Sequence, residues 1–189
     1  MVTADRRILT SYFLDFATGG LDRENLSKFV PLPIILTLSE LKNLDSTDAI
    51  ISGTIRVDNT DLVTVYRPTT LGDHGSGEGL YLGRQEGLEL TLNDPQMSRR
   101  HALIQKSGMS WYISDLNSKN GTVLFDIHKN KRVHVARHPA KTELGTSAFM
   151  TFGGHWYRFL TPERFYAQLK RKSREYSERL SNETSDGFN

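Results

Sequence analysis

Gly83-Arg84, then Ser98-Arg99-Arg100-His101, then Asn117-Ser118-Lys119-Asn120-Gly121-Thr122 are the pieces whose reading decides the fold. Each falls on a turn between β-strand patterns. Leu80 and Leu82 run into Gly83, and Leu88, Leu90 and Leu92 alternate with Glu89 and Thr91, the two-residue period of a half-buried strand. Asn93-Asp94-Pro95 ends that strand, and residues 101–106 and 111–114 form the next two around Ser107-Gly108. A folded sheet brings such turns to one edge. An arginine, a serine hydroxyl and an asparagine amide converging there suit a phosphate on an extended peptide. The guanidinium is a planar, permanently charged fork for two phosphate oxygens, and the hydroxyl adds a further donor.

Further from this centre, Val123-Leu124-Phe125 and the pair 149–152 and 156–160, joined at Gly153-Gly154, add strands. Residues 49–57 and 62–66 read as a hairpin about Asp58-Asn59-Thr60-Asp61, and the glycine-rich stretch 72–79 reads as a mobile loop. Residues 126–141 look irregular and basic. Many short strands separated by turn signals predict an all-β sandwich over residues 49–160. Before it, Ile8, Tyr12 and Phe16, widened by Leu9 and Phe13, predict an amphipathic helix over 4–16, so that 1–48 reads as a helical N-terminal extension. After it, Pro162 opens an amphipathic C-terminal helix over 161–181 with Phe165, Leu169, Tyr176 and Leu180 at helical spacing, and 182–189 is a polar, disordered tail.

The composition narrows the chemistry. In 189 residues, 24 Lys and Arg stand against 22 Asp and Glu, a balance that gives no support to wholesale nucleic-acid binding. There is no cysteine, which removes disulfides, thiolate metal sites and cysteine nucleophiles and fits a reducing, cytoplasmic setting. No apolar run reaches the ~18 residues of a membrane span, and no secretory signal is visible. Gly75, Gly77 and Gly79 lack the spacing and following lysine of a nucleotide loop. His134 and His138, next to Pro139 and basic neighbours, read as loop residues and not as metal ligands. No cofactor is expected.

The ordered pieces resemble the forkhead-associated (FHA) domain, over roughly residues 62–160. The resemblance rests on Gly83-Arg84, on Ser98 with His101 three residues later, on Asp115-Leu116-Asn117-Ser118-Lys119-Asn120-Gly121-Thr122, and on Phe149-Met150-Thr151-Phe152-Gly153. It implies a twisted β-sandwich that binds phosphothreonine peptides through loops at one end. Residue by residue, it implies phosphate contacts from Arg84 and Ser98, a further contact from Arg99, a supplementary one from Lys119, and peptide-backbone contacts from Asn120. Gly83, His101 and Gly121 fall at supporting positions. The chain departs from the family pattern at 125–130, where a short turn is usual, and at Gly145-Thr146, where Gly-Asp is usual.

Three functions are weighed. The first is a noncatalytic module that reads phosphothreonine on a protein partner, with a Ser/Thr kinase or its substrate as candidate, and that touches neither nucleic acid nor membrane. The second is a phosphate-independent assembly protein using the same sandwich and the apolar face at Phe165, Leu169 and Tyr176. The third is a hydrolase built on Ser98 and His101, which lacks the sequence around Ser98 that a nucleophile elbow requires. Thr70, with Asp73 three residues on, is a candidate phosphorylation site for another copy of the domain.

Overall fold

The computed structural model describes residues 5–8, 32–37, 64–68, 72–73, 78–126, 131–152, 155–171 and 174. They build two facing β-sheets. The first runs in the order β1 (Asp5–Ile8), β3 (Thr64–Arg67), β2 (Ile34–Thr37), β13 (His155–Leu160), β12 (Ser147–Phe152), β9 (Thr122–Asp126), β10 (Lys131–His134). The second runs β11 (Thr142–Glu143), β8 (Ser110–Asp115), β7 (Ala102–Ser107), β5 (Glu78–Gly83), β4 (Gly72–Asp73), with β6 (Leu90–Thr91) lying parallel to β5. Among the described residues the helical element is α1, residues 162–171.

The sheets face each other because alternate residues of their strands are apolar. Leu80 and Leu82 of β5, Ala102 and Ile104 of β7 and Trp111 and Ile113 of β8 meet Leu124 of β9, Met150 and Phe152 of β12 and Tyr157 and Phe159 of β13. Removing such side chains from water is the main favourable term in folding. The opposite face of the first sheet is covered as well. Arg158, one residue from Phe159 and so on the other side of β13, bonds Gln168 of α1. Phe165 and Leu169, the apolar stripe read from the sequence, are fully buried. Tyr176 lies outside the described residues.

Several expectations are corrected. Residues 5–8, expected within a helix, form an antiparallel strand against β3, with Arg6 opposite Tyr66 and Ile8 opposite Thr64; the rest of the predicted helix 4–16 lies outside the described residues. The segment 34–37, also inside the expected helical extension, pairs with β13 and β3. Pairing partners distant in sequence override a periodicity drawn from few residues. The ends of the expected loop 72–79 are a strand pair, Gly72 opposite Gly79 and Asp73 opposite Glu78. A side chain at Gly79 would meet the Ile104 carbonyl at 2.9 Å, so glycine here serves close packing on β7. The basic stretch 126–141 holds an edge strand, β10, with Lys131 opposite Asp126. Its four residues are all exposed, and charged side chains on a free edge are compatible with a strand. The predicted hairpin strand 49–57, Thr70 and the tail 182–189 lie outside the described residues. No helix of the described residues is long and apolar enough to cross a membrane.

Phe159 is fully buried in this core. Phe159→Ala is expected to lower the unfolding free energy by about 3–5 kcal/mol, read as a lowered urea midpoint at unchanged slope.

Candidate functional site

The loops after β5, before β7 and between β8 and β9 meet at one end of the sandwich, and glycine chemistry allows the first two to touch. A Cβ on Gly83 would lie 2.0 Å from the Arg99 carbonyl oxygen, closer than any two such atoms can approach. Without it, the Arg84 N–H donates to the Ser98 carbonyl and the Gln85 N–H to the Arg99 carbonyl, each at 3.1 Å. The arginine and the serine are therefore stitched side by side through their own backbones.

His101 ties the third loop to this pair. It is fully buried. Its Nδ1 accepts the Ser98 N–H and its Nε2 lies 3.1 Å from the Gly121 carbonyl. One nitrogen must accept and the other donate, so the ring is the neutral tautomer with the proton on Nε2. Burial pushes its pKa below the ordinary 6.5, against the opposing pull of the Gly121 carbonyl, Asp115 and Asp94. Phe152 packs edge-on against the ring at 5.3 Å.

The 115–122 loop is shaped by one buried carboxylate. Asp115 Oδ1 accepts the Ser118 N–H at 2.9 Å, while Oδ2 accepts the hydroxyls of Ser118 at 2.7 Å and Thr122 at 2.8 Å. Burial works to raise its pKa, but the hydrogen bonds from Ser118 and Thr122 outweigh it and hold the group below the ordinary 3.8. Asn117 and Gly121 turn the chain with φ of 60° and 73°; asparagine is among the non-glycine residues that tolerate this region best. A second buried carboxylate shapes the 94–98 turn. Asp94 Oδ1 accepts the Gln96 N–H at 2.8 Å, and Oδ2 meets His155 Nδ1 and the Tyr157 hydroxyl across the sandwich.

These three loops line an open groove of about 1030 Å³. Arg84, Ser98, Arg99, Lys119 and Asn120, the five residues predicted to touch a ligand, all line it, and Gly83, His101 and Gly121 hold its framework. The Ser98 Oγ accepts the Lys119 N–H at 3.0 Å, which leaves the hydroxyl hydrogen to donate elsewhere. The Asn120 Nδ2 donates to the Gln96 carbonyl at 2.7 Å, leaving its carbonyl oxygen and second N–H for a ligand. Gln96, Arg100 and Asn117 also line the groove. The Arg100 guanidinium lies 4.0 Å over the Tyr81 ring, a cation–π contact that spacing along the chain does not reveal. The described lining residues comprise four cations, Arg84, Arg99, Arg100 and Lys119, and no carboxylate. Sequence reading missed the bracing role of Asp94, which shows there only as part of a turn. Asp115 stood within the quoted motif, yet its hydrogen bonds were unreadable because Thr122, seven residues on, reaches it only in the folded loop.

His134 and His138, weighed as metal ligands, are exposed. Among the described residues no group of three or more His, Asp or Glu side chains is placed to hold a metal ion.

Two outcomes follow from the geometry. Gly83→Ala is expected to unfold the site or the domain, since backbone and not a flexible side chain blocks the added methyl; circular dichroism melting and amide exchange at Arg84 and Gln85 check this. The depressed pKa values of His101 and Asp115 both mean that the unfolded chain binds more protons than the folded one. The His101 contribution is complete above pH 6.5 and is lost as pH falls below it, and that of Asp115 is lost below pH 3.8. Unfolding free energy measured against pH should therefore decline on acidification from 6.5, and His101→Gln should flatten the first part of that decline.

Residues 67–146 match the FHA domain family. The chain is similar to the FHA domain-containing protein FhaB of Mycobacterium tuberculosis, 41% identical over 49 residues, 26% of this chain and 32% of that protein. It is similar to FhaB of Mycolicibacterium smegmatis, 40% identical over 55 residues, 29% of this chain and 33% of that protein. The chain thus spans about a third of the length of these curated relatives. Among solved structures, the FHA domain of the CT664 protein from Chlamydia trachomatis is 18% identical with a TM-score of 0.41, covering 68% of this chain and 96% of that one. An FHA domain of an Arabidopsis thaliana hypothetical protein is 19% identical with a TM-score of 0.41, covering 69% and 86%. The Gly83-Arg84, Ser98–His101 and 115–122 loops all lie inside the segment, residues 67–146, that matches the FHA domain family.

Proposed function

We propose that this chain is a noncatalytic module that binds phosphothreonine peptides and thereby recruits phosphorylated protein partners downstream of a Ser/Thr kinase. The observation that carries the reading is the convergence of Arg84, Ser98 and Asn120 on one groove lined by four cations and, among the described residues, no carboxylate. A phosphorylated side chain brings about −1.5 to −2 charge and three acceptor oxygens. Arg84 is exposed, with its backbone N–H already committed to Ser98, so its guanidinium is free to meet that charge. The hydrogen of Ser98 adds a short donor, and Arg99 and Lys119 add charge at the flanks. Asn120, anchored on the Gln96 carbonyl, offers one acceptor and one donor to the backbone of an extended peptide.

The geometry favours binding over catalysis. His101 Nδ1 is occupied by the Ser98 backbone N–H and Nε2 by the Gly121 carbonyl, so neither nitrogen is placed to take the Ser98 hydroxyl proton. The assembly reading loses its main support, because the apolar face at Phe165 and Leu169 is buried within this chain and is not left for a partner.

Calorimetric titration of matched phosphothreonine and threonine peptides tests the proposal. Binding is expected to require the phosphate and to weaken with added salt. Arg84→Ala should cost at least about 2 kcal/mol and Ser98→Ala about 1 kcal/mol or more. Equal affinity for both peptides, or full affinity in Arg84→Ala, would overturn it.

A further inference from the structure

A second cationic cluster lies at the other end of the sandwich. Phe152, which packs on His101 beneath the groove, ends β12, and Ser147 begins it. Five residues of extended strand separate them, roughly 17 Å. At the Ser147 end, the Arg158 Nε lies 3.3 Å from the Ser147 Oγ and its Nη1 3.4 Å from the Gln168 Oε1. The Arg164 Nε donates to the Thr146 Oγ1 at 3.0 Å. Two guanidinium groups therefore clasp two adjacent hydroxyls. Arg164, Gln168 and Arg171 follow one another at steps of four and three residues, so they share a face of α1 and add a third guanidinium to that side.

The two clasping arginines are short of negative partners. Among the described residues neither Arg158 nor Arg164 has a carboxylate within ion-pair distance. Both instead hold neutral oxygens, and Arg158 also rests over the Phe149 ring at 5.0 Å. Burial, followed by the charges of Arg171 and Arg164, lowers the pKa of Arg158. Like charges held together on a half-buried surface repel one another, and an oxyanion would relieve that repulsion while accepting forked hydrogen bonds. Within one backbone hydrogen bond of Thr146, the Thr161 hydroxyl is buried without a hydrogen-bond partner.

We propose that Arg158 and Arg164, with the Thr146 and Ser147 hydroxyls, form a second anion site that takes a phosphate dianion, separate from the groove around Arg84. The dianion is a phosphomonoester on a second phosphorylated chain or inorganic phosphate; both present terminal oxygens that share the same charge. The site does not depend on the reading of the groove.

The test uses the full chain carrying Arg84→Ala, which removes the principal phosphate donor of the groove. Inorganic phosphate and O-phosphothreonine are titrated at fixed ionic strength against chloride, following the side-chain Nε–H resonances of Arg158 and Arg164 and the melting temperature. Both resonances should shift saturably and the melting temperature should rise beyond the chloride control. Adding Arg164→Gln, an exposed position compatible with folding, should weaken the effect about tenfold, the worth of one charge-assisted hydrogen bond. Tighter binding of O-phosphothreonine assigns the site to a phosphorylated chain, and equal binding assigns it to phosphate itself. Resonances that stay fixed, or a response unchanged by Arg164→Gln, would overturn the site whatever the groove binds.

Discussion

One imidazole holds the groove end of this protein in shape. His101 is buried, neutral, and bonded through both nitrogens to the backbones of two loops separated in sequence by about twenty residues. A buried polar ring is tolerated only when both its nitrogens are satisfied. The Ser98 amide and the Gly121 carbonyl meet that demand, and in doing so fix the distance between the serine and the asparagine loop. Because the ring lies on Phe152 of the opposite sheet, the spacing of the loops is referred to the core and not to solvent. The groove is therefore preorganised by packing, which would reduce the ordering cost of the binding proposed for it.

Two carboxylates extend the same logic. Asp115 gathers an amide and two hydroxyls, and Asp94 gathers an amide, a histidine and a tyrosine. Both are buried and face inward, away from the groove lining. Asp94 and Asp115 serve architecture, and the described lining of the groove carries cations and no carboxylate. That division matters because a carboxylate beside Arg84 would compete with a phosphate for the same fork.

The same separation of charge recurs at the far end, where arginines collect around neutral hydroxyls and an amide. A nearly neutral chain can thus gather cations locally without a large net charge. Net charge describes the whole molecule, while recognition depends on how charge is distributed over the surface.

The strands at 101–106, 111–114, 149–152 and 156–160, the alternation of Leu80 and Leu82, and the turns bearing Arg84, Ser98 and Asn120, were legible in the residues alone, because alternation and glycine or asparagine turn chemistry are local properties. So was the buried stripe of Phe165 and Leu169, since helical spacing is local too. What only the tertiary structure decided are the pairings and contacts between distant segments: the strand at 5–8 against β3, the strand at 34–37 against β13, the 2.0 Å demand on Gly83 and the bond of His101 to the Gly121 carbonyl. Each of these is set by a partner many residues away, whose position exists only once the chain has folded.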